Sequence, residues 1–189
     1  MNVGIMCGSY SGTIDTLNDN NTIAELVTRR PYNIVMGSGE SGSMGQVKEI
    51  VRANKRKLIV VGNPFELVRS HADEKIPVNS TFERTAKIYE KSDAILVLTG
   101  GTGTLSEFMA FLNNKIETKD EKPLIVYNEN GNFKEILADL ENRKKAGLID
   151  DSYDLYFKVA RNINDLAVFL QEAEEKFARK MAKTGGKAI

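Results

Sequence analysis

The chain has 189 residues, which is enough for one domain around one hydrophobic core. Lysine plus arginine and aspartate plus glutamate each number 26, so the zero formal net charge gives no support to a general role on nucleic acids or membrane surfaces. The single cysteine excludes an intrachain disulfide and suits a reducing compartment. Because the sequence shows neither a secretory signal pattern nor an apolar run of membrane-spanning length, we expect a cytoplasmic protein with no membrane partner.

Short apolar runs alternate with amphipathic runs along the chain. The strand-like runs are Val3–Cys7, Asn33–Met36, Leu58–Val61, Ala94–Leu98, Leu124–Tyr127 and, more weakly, Leu155–Val159. The helix-like runs are Thr22–Arg29, Ser43–Ala53, Thr81–Lys91, Thr104–Ile116, Asn132–Lys145 and Asn164–Met181. This alternation predicts an α/β fold, a Rossmann-like doubly wound parallel sheet in a single domain. We expect a nucleotide-binding domain over residues 1–182, a flexible tail over 183–189, and long loops at 8–21 and 63–80.

Three of the predicted strands end in glycine-rich turns, at residues 8–12, 37–45 and 100–104. The carboxyl ends of parallel strands meet at one edge of a sheet, so we expect these turns to lie together. The third turn, Gly100-Gly101-Thr102-Gly103-Thr104, also leads into a predicted helix. Glycines let backbone amides converge, and the first amides of a helix carry partial positive charge. The third turn is therefore predicted to bind a phosphate.

The second turn matches the pattern G-x-G-x-x-G, which is typical of dinucleotide-binding proteins. That fingerprint is normally accompanied by an acidic residue at the end of the next strand, where it holds the ribose. The next predicted strand, Leu58–Val61, has no aspartate or glutamate at its end. A nicotinamide cofactor is therefore disfavoured.

Two charged residues stand close to the predicted phosphate turn. Glu107 lies in the first turn of the predicted helix, and Arg84 lies in the segment that precedes the strand. A carboxylate beside a bound anion suggests chemistry, and arginine suits contact with phosphate or sugar oxygens. Each residue also has a purely structural interpretation. The run from Thr104 to Glu107 fits a capping box, and Arg84 could lie on a solvated helix face.

The other reactive residue types give weaker hypotheses. Cys7 ends a predicted buried strand, and we expect it to be structural. His71, the single histidine, lies in a polar stretch without a partner for a metal site, so no metal is expected. Ser9 and Ser11 are more plausible as hydrogen-bond donors to a ligand than as nucleophiles.

Taken in order along the chain, these motifs resemble the LONELY GUY family, whose older description is "possible lysine decarboxylase". The resemblance rests on Cys7-Gly8-Ser9, the turn ending in Ser43-Met44-Gly45, the pair Glu83-Arg84, and the turn 100–104 followed by Glu107. Order and spacing agree from Val3 to about Ile149. The combined pattern is specific, whereas any one turn is not.

The resemblance implies a nucleoside 5′-monophosphate phosphoribohydrolase, which splits a nucleotide such as AMP or CMP into free base and ribose 5-phosphate. It implies a catalytic pair, Arg84 and Glu107, and a homodimer or larger homo-oligomer that needs no metal or organic cofactor. The phosphate would be held by Gly100, Gly101, Thr102, Gly103 and Thr104. The rest of the substrate pocket would include Gly8, Ser9, Gly39, Met44 and Glu83.

Two positions depart from the family pattern. Thr85 stands where the family has a lysine after the arginine, and Thr99 stands where it has a proline before the glycines. These departures keep open a second function, a non-catalytic nucleotide sensor or molybdenum-cofactor binding protein of the same fold. A third, single-stranded DNA binding as in the similar DNA-processing protein A, is disfavoured by the neutral charge balance.

Overall fold

The structure is a computed structural model that describes residues 1–185. Its centre is a seven-stranded sheet in which every strand pair is parallel, in the order β4-β3-β2-β1-β5-β6-β7. The strands are β1 (Asn2–Met6), β2 (Asn33–Gly37), β3 (Leu58–Gly62), β4 (Glu74–Pro77), β5 (Ala94–Val97), β6 (Leu124–Tyr127) and β7 (Lys158–Ala160). The central strands are almost entirely buried, as expected for a parallel sheet covered on both faces.

Helices cover both faces of the sheet. They are α1 (Ile14–Thr28), α2 (Gly42–Ala53), α3 (Pro64–Val68), α4 (Thr81–Lys91), α5 (Thr102–Thr118), α6 (Lys134–Lys145) and α7 (Ile163–Gly185), with a 3₁₀ turn at Tyr153–Tyr156. The apolar stripes of α1, α2 and α7 share one core with one face of the sheet, and those of α4, α5 and α6 share a second core with the other. The predicted doubly wound, Rossmann-like single domain is confirmed.

The strand order places a switch point at the middle of the sheet. The chain runs outward from β1 through β2 and β3 to β4, then returns to add β5 on the other side of β1. Val3 of β1 is therefore paired with Ile34 on one side and with Ala94 on the other. In such sheets the connections leave β1 and its new neighbour in opposite directions, which opens a crevice at their carboxyl ends.

Both predicted long loops contain regular structure that the sequence analysis missed. Helix α1 begins at Ile14, eight residues before the predicted Thr22, because the Thr13 hydroxyl caps it by accepting from the Thr16 amide at 3.2 Å. The stretch 63–80 contains α3 and β4. Strand β4 pairs with β3 alone and its residues are only half-buried or exposed, so it lacks the apolar run that marks a central strand.

The end of the chain also differs from the prediction. The predicted strand Leu155–Val159 is shifted, since residues up to Tyr156 form the 3₁₀ turn and β7 begins at Lys158. Phe157 packs in the core, where its ring meets that of Phe108 edge-on at 5.6 Å, whereas Leu155 is exposed. Helix α7 continues through Gly185, past the predicted domain end at residue 182, and the remaining predicted tail, residues 186–189, lies outside the described residues.

Within residues 1–185 no helix has the length and apolarity needed to cross a membrane.

Candidate functional site

A cavity of about 310 Å³ opens at the carboxyl edge of the sheet, where the turns after β1, β2 and β5 meet. The three predicted glycine turns do therefore lie together. The cavity is lined by Ile5, Met6, Cys7, Gly8, Ser9, Tyr10, Gly37, Gly39, Met44, Glu66, Arg84, Gly101, Thr102, Gly103, Thr104 and Glu107. Among these lining residues, the acidic and basic side chains are the carboxylates of Glu66 and Glu107 and the guanidinium of Arg84.

The turn between β5 and α5 presents backbone rather than side chains to this cavity. Gly101 is the N-cap residue of α5 and offers no side-chain cap, so the first helical amides keep their hydrogen-bonding capacity. A β-carbon added at Gly101 or Gly103 would meet nothing within 4 Å, which means that the space above both residues is open. The turn therefore has the form of an anion site at a helix N-terminus.

Gly100 holds this turn close to the neighbouring strand end. A β-carbon at Gly100 would overlap the Thr104 hydroxyl and lie 2.7 Å from the Gly8 amide nitrogen. Thr104 is only 3% exposed and fills the space under the turn. Position 100 therefore requires glycine, because the Gly8 backbone and the Thr104 side chain leave no room for a β-carbon. The turns after β1 and β5 thus form one continuous surface.

Glu107 does not cap helix α5. A capping box would need Thr104 as the N-cap, but the N-cap of α5 is Gly101, three residues earlier, and no side chain caps the helix. Glu107 therefore lies beyond the first turn, on the face that lines the cavity. The capping-box alternative is wrong because the helix starts within the glycine turn itself.

Glu107 and Arg84 are electrostatically coupled in the cavity. Burial raises the pKa of the Glu107 carboxyl, and the positive charge of Arg84 lowers it without cancelling the effect of burial. The Nε atom of Arg84 is buried and has no hydrogen-bond partner among residues 1–185. An unpaired buried guanidinium nitrogen is costly, so a ligand oxygen placed here would satisfy it.

The start of helix α4 positions Arg84. The Ser80 hydroxyl accepts from the Glu83 amide at 3.1 Å, and the Glu83 carboxylate accepts from the Asn79 amide at 2.8 Å. Glu83, which the sequence analysis places in the substrate pocket, does not line the cavity and is exposed. Its side chain fixes the N-terminus of α4 and with it the next residue, Arg84, which lies beside Gly37.

The first two turns are joined to each other by hydrogen bonds. The Met44 amide donates to the Gly8 carbonyl at 3.0 Å, and the Ser41 hydroxyl donates to the Ser9 carbonyl at 3.0 Å. The Met44 thioether packs on Gly39, where an added β-carbon would lie 3.0 Å from its sulfur. Gly8, Ser9, Gly39 and Met44 all line the cavity.

The fully buried side chain of Lys48 supports the second turn from below. Its ammonium donates to the Gly39 carbonyl at 2.7 Å and to the Glu40 carboxylate at 2.8 Å, which compensates for its burial. Burial nonetheless lowers the pKa of Lys48. Lys48 was not predicted as a site residue, because from the sequence alone a lysine within a helix looks like any surface lysine.

Thr99 and Thr85, the two residues that depart from the family pattern, form hydrogen bonds with nearby residues. The Thr99 carbonyl accepts from the Asn20 side chain at 3.0 Å, and its hydroxyl accepts from the Asn132 side chain at 3.1 Å. The Thr85 hydroxyl donates to the Thr81 carbonyl of the preceding helical turn at 3.0 Å. Side-chain hydrogen bonds thus hold Thr99 at the start of the turn between β5 and α5, whereas Thr85 carries no charge toward the cavity.

Cys7, Tyr10 and Glu66 also line the cavity. Burial raises the pKa of the Cys7 thiol to about 12, so it is protonated and structural, as expected. Tyr10 and Glu66 were not singled out from the sequence. Both follow a strand on its carboxyl side, a position that could have suggested them, but both lie in stretches predicted as loops.

The lining residues limit which cofactors the cavity could hold. None of the described residues that line it is a lysine, so the cavity offers no side chain for the Schiff base that pyridoxal phosphate forms in decarboxylases. Within the described chain, no three His, Cys, Asp or Glu residues are grouped as a metal site would need. His71 is exposed.

Fold and site together define a Rossmann-like α/β protein with a cavity at its switch point, lined by a glycine-rich turn at a helix N-terminus. A family model described as "Possible lysine decarboxylase" matches residues 36–170. The chain is 31% identical over 175 residues to the cytokinin riboside 5′-monophosphate phosphoribohydrolase LOG5 of Arabidopsis thaliana, covering 89% of this chain and 76% of the relative. It is 30% identical over 156 residues to the enzyme of that activity from Mycobacterium tuberculosis, covering 80% of each.

The chain therefore belongs to this family, the LONELY GUY (LOG) family that the motifs resemble. Its fold is also similar to that of the molybdenum-cofactor carrier protein of Chlamydomonas reinhardtii, with a TM-score of 0.67. That match covers 93% of this chain and 98% of the carrier at 15% identity, so it shows a shared fold alone.

Proposed function

We propose that this protein is a nucleoside 5′-monophosphate phosphoribohydrolase that hydrolyses the N-glycosidic bond of AMP- or CMP-like nucleotides. The observation that carries the proposal is the meeting of Glu107 and Arg84 in one cavity with the glycine turn of α5. The relatives' names supply the reaction class, and the cavity supplies residues that suit it.

The proposed reaction divides the substrate between two parts of the cavity. The amides of Gly101, Thr102, Gly103 and Thr104, with Gly100 behind them, hold the 5′-phosphate and so anchor the ribose. The unpaired Nε of Arg84 donates to a ligand oxygen and offsets the repulsion between the phosphate and Glu107. The substrate is thereby oriented with its sugar against the carboxylate.

The bond-breaking step builds positive charge on the ribose ring. As the C1′–N bond lengthens, the bonding electrons leave with the base, and the anionic Glu107 stabilises the cationic ring. Water adds to C1′, one of its protons passes to the base, and the products are free base and ribose 5-phosphate. Glu107 must be ionised for this role, and Arg84 favours the ionised form.

The direct test is incubation with a panel of nucleoside 5′-monophosphates, followed by chromatography for free base and an assay for ribose 5-phosphate. We expect equal amounts of both products. Nucleosides without the phosphate serve as the control, and we expect them to react far more slowly because they lack the anchored group. Recovery of every nucleotide unchanged would contradict the proposal.

The alternative is a binding protein that holds a nucleotide or the molybdenum cofactor without cleaving it. It is favoured by the uncharged Thr85 in place of the family's lysine and by the fold shared with the carrier protein. The same panel separates the two functions, because a binding protein would return its ligand intact. Single-stranded DNA binding, the third hypothesis, predicts retention on filters that weakens from low to physiological salt.

We also propose a cytoplasmic homodimer or larger homo-oligomer. Large apolar side chains are exposed on the short helix α3 and at the start of α4, namely Phe65, Val68 and Phe82, each at least 80% exposed. Such exposure is typical of a surface covered by a partner. Light scattering coupled to size-exclusion chromatography should give at least twice the chain mass of 21.0 kDa.

A further inference from the structure

The cavity contains a third charged side chain that the proposed reaction does not use. Glu66 lines it from helix α3, which follows strand β3. The proposed roles of Arg84 and Glu107 leave this second carboxylate without a function. A carboxylate at the wall of a ligand cavity repels anions and attracts hydrogen-bond donors, so its position matters for what can bind.

Glu66 is held in place by a buried hydroxyl. Ser38, which is only 2% exposed, follows β2, and its Oγ donates to Oε2 of Glu66. Gly62 at the end of β3 leaves room for this contact, because a β-carbon there would overlap the Ser38 side chain and lie 3.5 Å from Oε2. The other oxygen, Oε1, accepts no hydrogen bond from residues 1–185. A fixed carboxylate with one free oxygen is a preorganised acceptor.

The strand order sets the distance between this acceptor and the phosphate turn. The turn follows β5, and Glu66 follows β3, with β1 and β2 between them. Adjacent strands are about 4.8 Å apart, so three strand spacings separate the two sites. Arg84 lies between them, beside Gly37 at the end of β2. A nucleotide with its phosphate on the β5 turn and its ribose near Arg84 would therefore point its base towards Glu66.

We propose that Glu66, positioned by Ser38, selects nucleotides whose base carries an amino group at C6 of a purine or at C4 of a pyrimidine. The inference rests on the proposed function for the orientation of the nucleotide. An ionised carboxylate only accepts hydrogen bonds, so the 6-amino group of adenine or the 4-amino group of cytosine can donate to it. The 6-oxo group of hypoxanthine or the 4-oxo group of uracil would instead place an oxygen against the carboxylate, at a cost in affinity.

The test compares kcat/KM for AMP against IMP, and for CMP against UMP. Because a hydrogen bond to a charged acceptor is at stake, we expect the wild-type protein to prefer the amino base by about 10- to 100-fold. Glu66→Gln should lose most of this preference, since an amide can also donate to an oxo group. The matched control, Glu49→Gln, changes an exposed glutamate on α2 outside the cavity and should keep the preference.

The positioning role of Ser38 has its own readout. Ser38→Ala leaves the Glu66 carboxylate present but unheld, so KM for AMP should rise more than kcat falls, and the preference for AMP over IMP should shrink only in part. Equal losses for AMP and IMP in Glu66→Gln would overturn the inference, because they would indicate a role in chemistry or folding rather than in base selection.

Calorimetric binding of AMP and IMP to Glu107→Gln separates this inference from the proposed function, because it needs no turnover. Tighter binding of AMP supports base selection by Glu66 even if wild-type protein cleaves no nucleotide, in which case only the proposed reaction fails. Equal binding of the two nucleotides, or binding of neither, overturns base selection whatever the cleavage assay shows.

Discussion

Among single residues, Glu107 gives the sharpest prediction about activity. Glu107→Gln removes the negative charge that would face the ribose while keeping the shape of the side chain. Base release from AMP should fall by about 100- to 1,000-fold or more, the usual loss when a preorganised electrostatic contact is removed. The matched control is Glu117→Gln, which changes an exposed glutamate on the same helix outside the cavity. Wild-type rates in Glu107→Gln would remove this residue from the mechanism.

Glu107→Gln should increase the stability of the fold although it lowers activity. Burial raises the pKa of Glu107 in the folded protein. The carboxyl therefore ionises more easily in the unfolded chain, and above the ordinary pKa of glutamate this difference lowers the free energy of unfolding. Replacing Glu107 by neutral glutamine should therefore increase the free energy of unfolding at pH 7. Below about pH 4, where the side chain is protonated in both states, the gain should vanish. Urea titrations at the two pH values measure it, and a glutamine variant less stable at pH 7 would contradict it.

Among the structural elements, the turn between β5 and α5 depends on one glycine more than on its neighbour. Gly100→Ala would press a methyl group into the Thr104 hydroxyl and the Gly8 backbone, and overpacking of this kind typically costs about 1–3 kcal/mol. Gly101→Ala adds the same group where nothing lies within 4 Å, so its unfolding free energy should stay within about 0.5 kcal/mol of wild type. Denaturant unfolding of both variants checks this difference, and equal destabilisation would contradict the close approach at Gly100.

For the molecule as a whole, ligand binding at the switch point should stabilise the fold. The cavity is built from turns that follow three different strands, so it exists only in the folded protein, and a ligand at 100 times its Kd adds about 2.7 kcal/mol to stability. We expect ribose 5-phosphate to raise the melting temperature. Ribose at equal concentration is the control, and an equal shift with ribose would contradict a phosphate site. Gly100→Ala should reduce the response.

The sequence was sufficient to predict the strands and helices that carry strong local signals. Buried parallel strands such as β3 are continuous apolar runs, and α4 and α5 have clear helical periodicity. These elements could therefore be predicted from the sequence without knowledge of tertiary contacts. Strand β4 could not be predicted, because Glu74 to Pro77 contains one apolar aliphatic residue and forms a strand through its pairing with β3. The early start of α1 was missed because its cap, Thr13, lies in a polar stretch without an apolar repeat.

The glycine turns, Arg84 and Glu107 were predictable as site candidates because each carries its chemistry in a short, ordered motif beside a strand end. The sequence could not decide whether Glu107 faces a ligand or caps its helix, since both interpretations use the same four letters. Nor did it reveal Glu66 or Lys48. Glu66 accepts a hydrogen bond from Ser38, which follows a different strand, and Lys48 turns back from α2 to the carbonyl of Gly39. Local patterns encode which elements form, whereas the direction of a charged side chain depends on distant segments that the fold brings beside it.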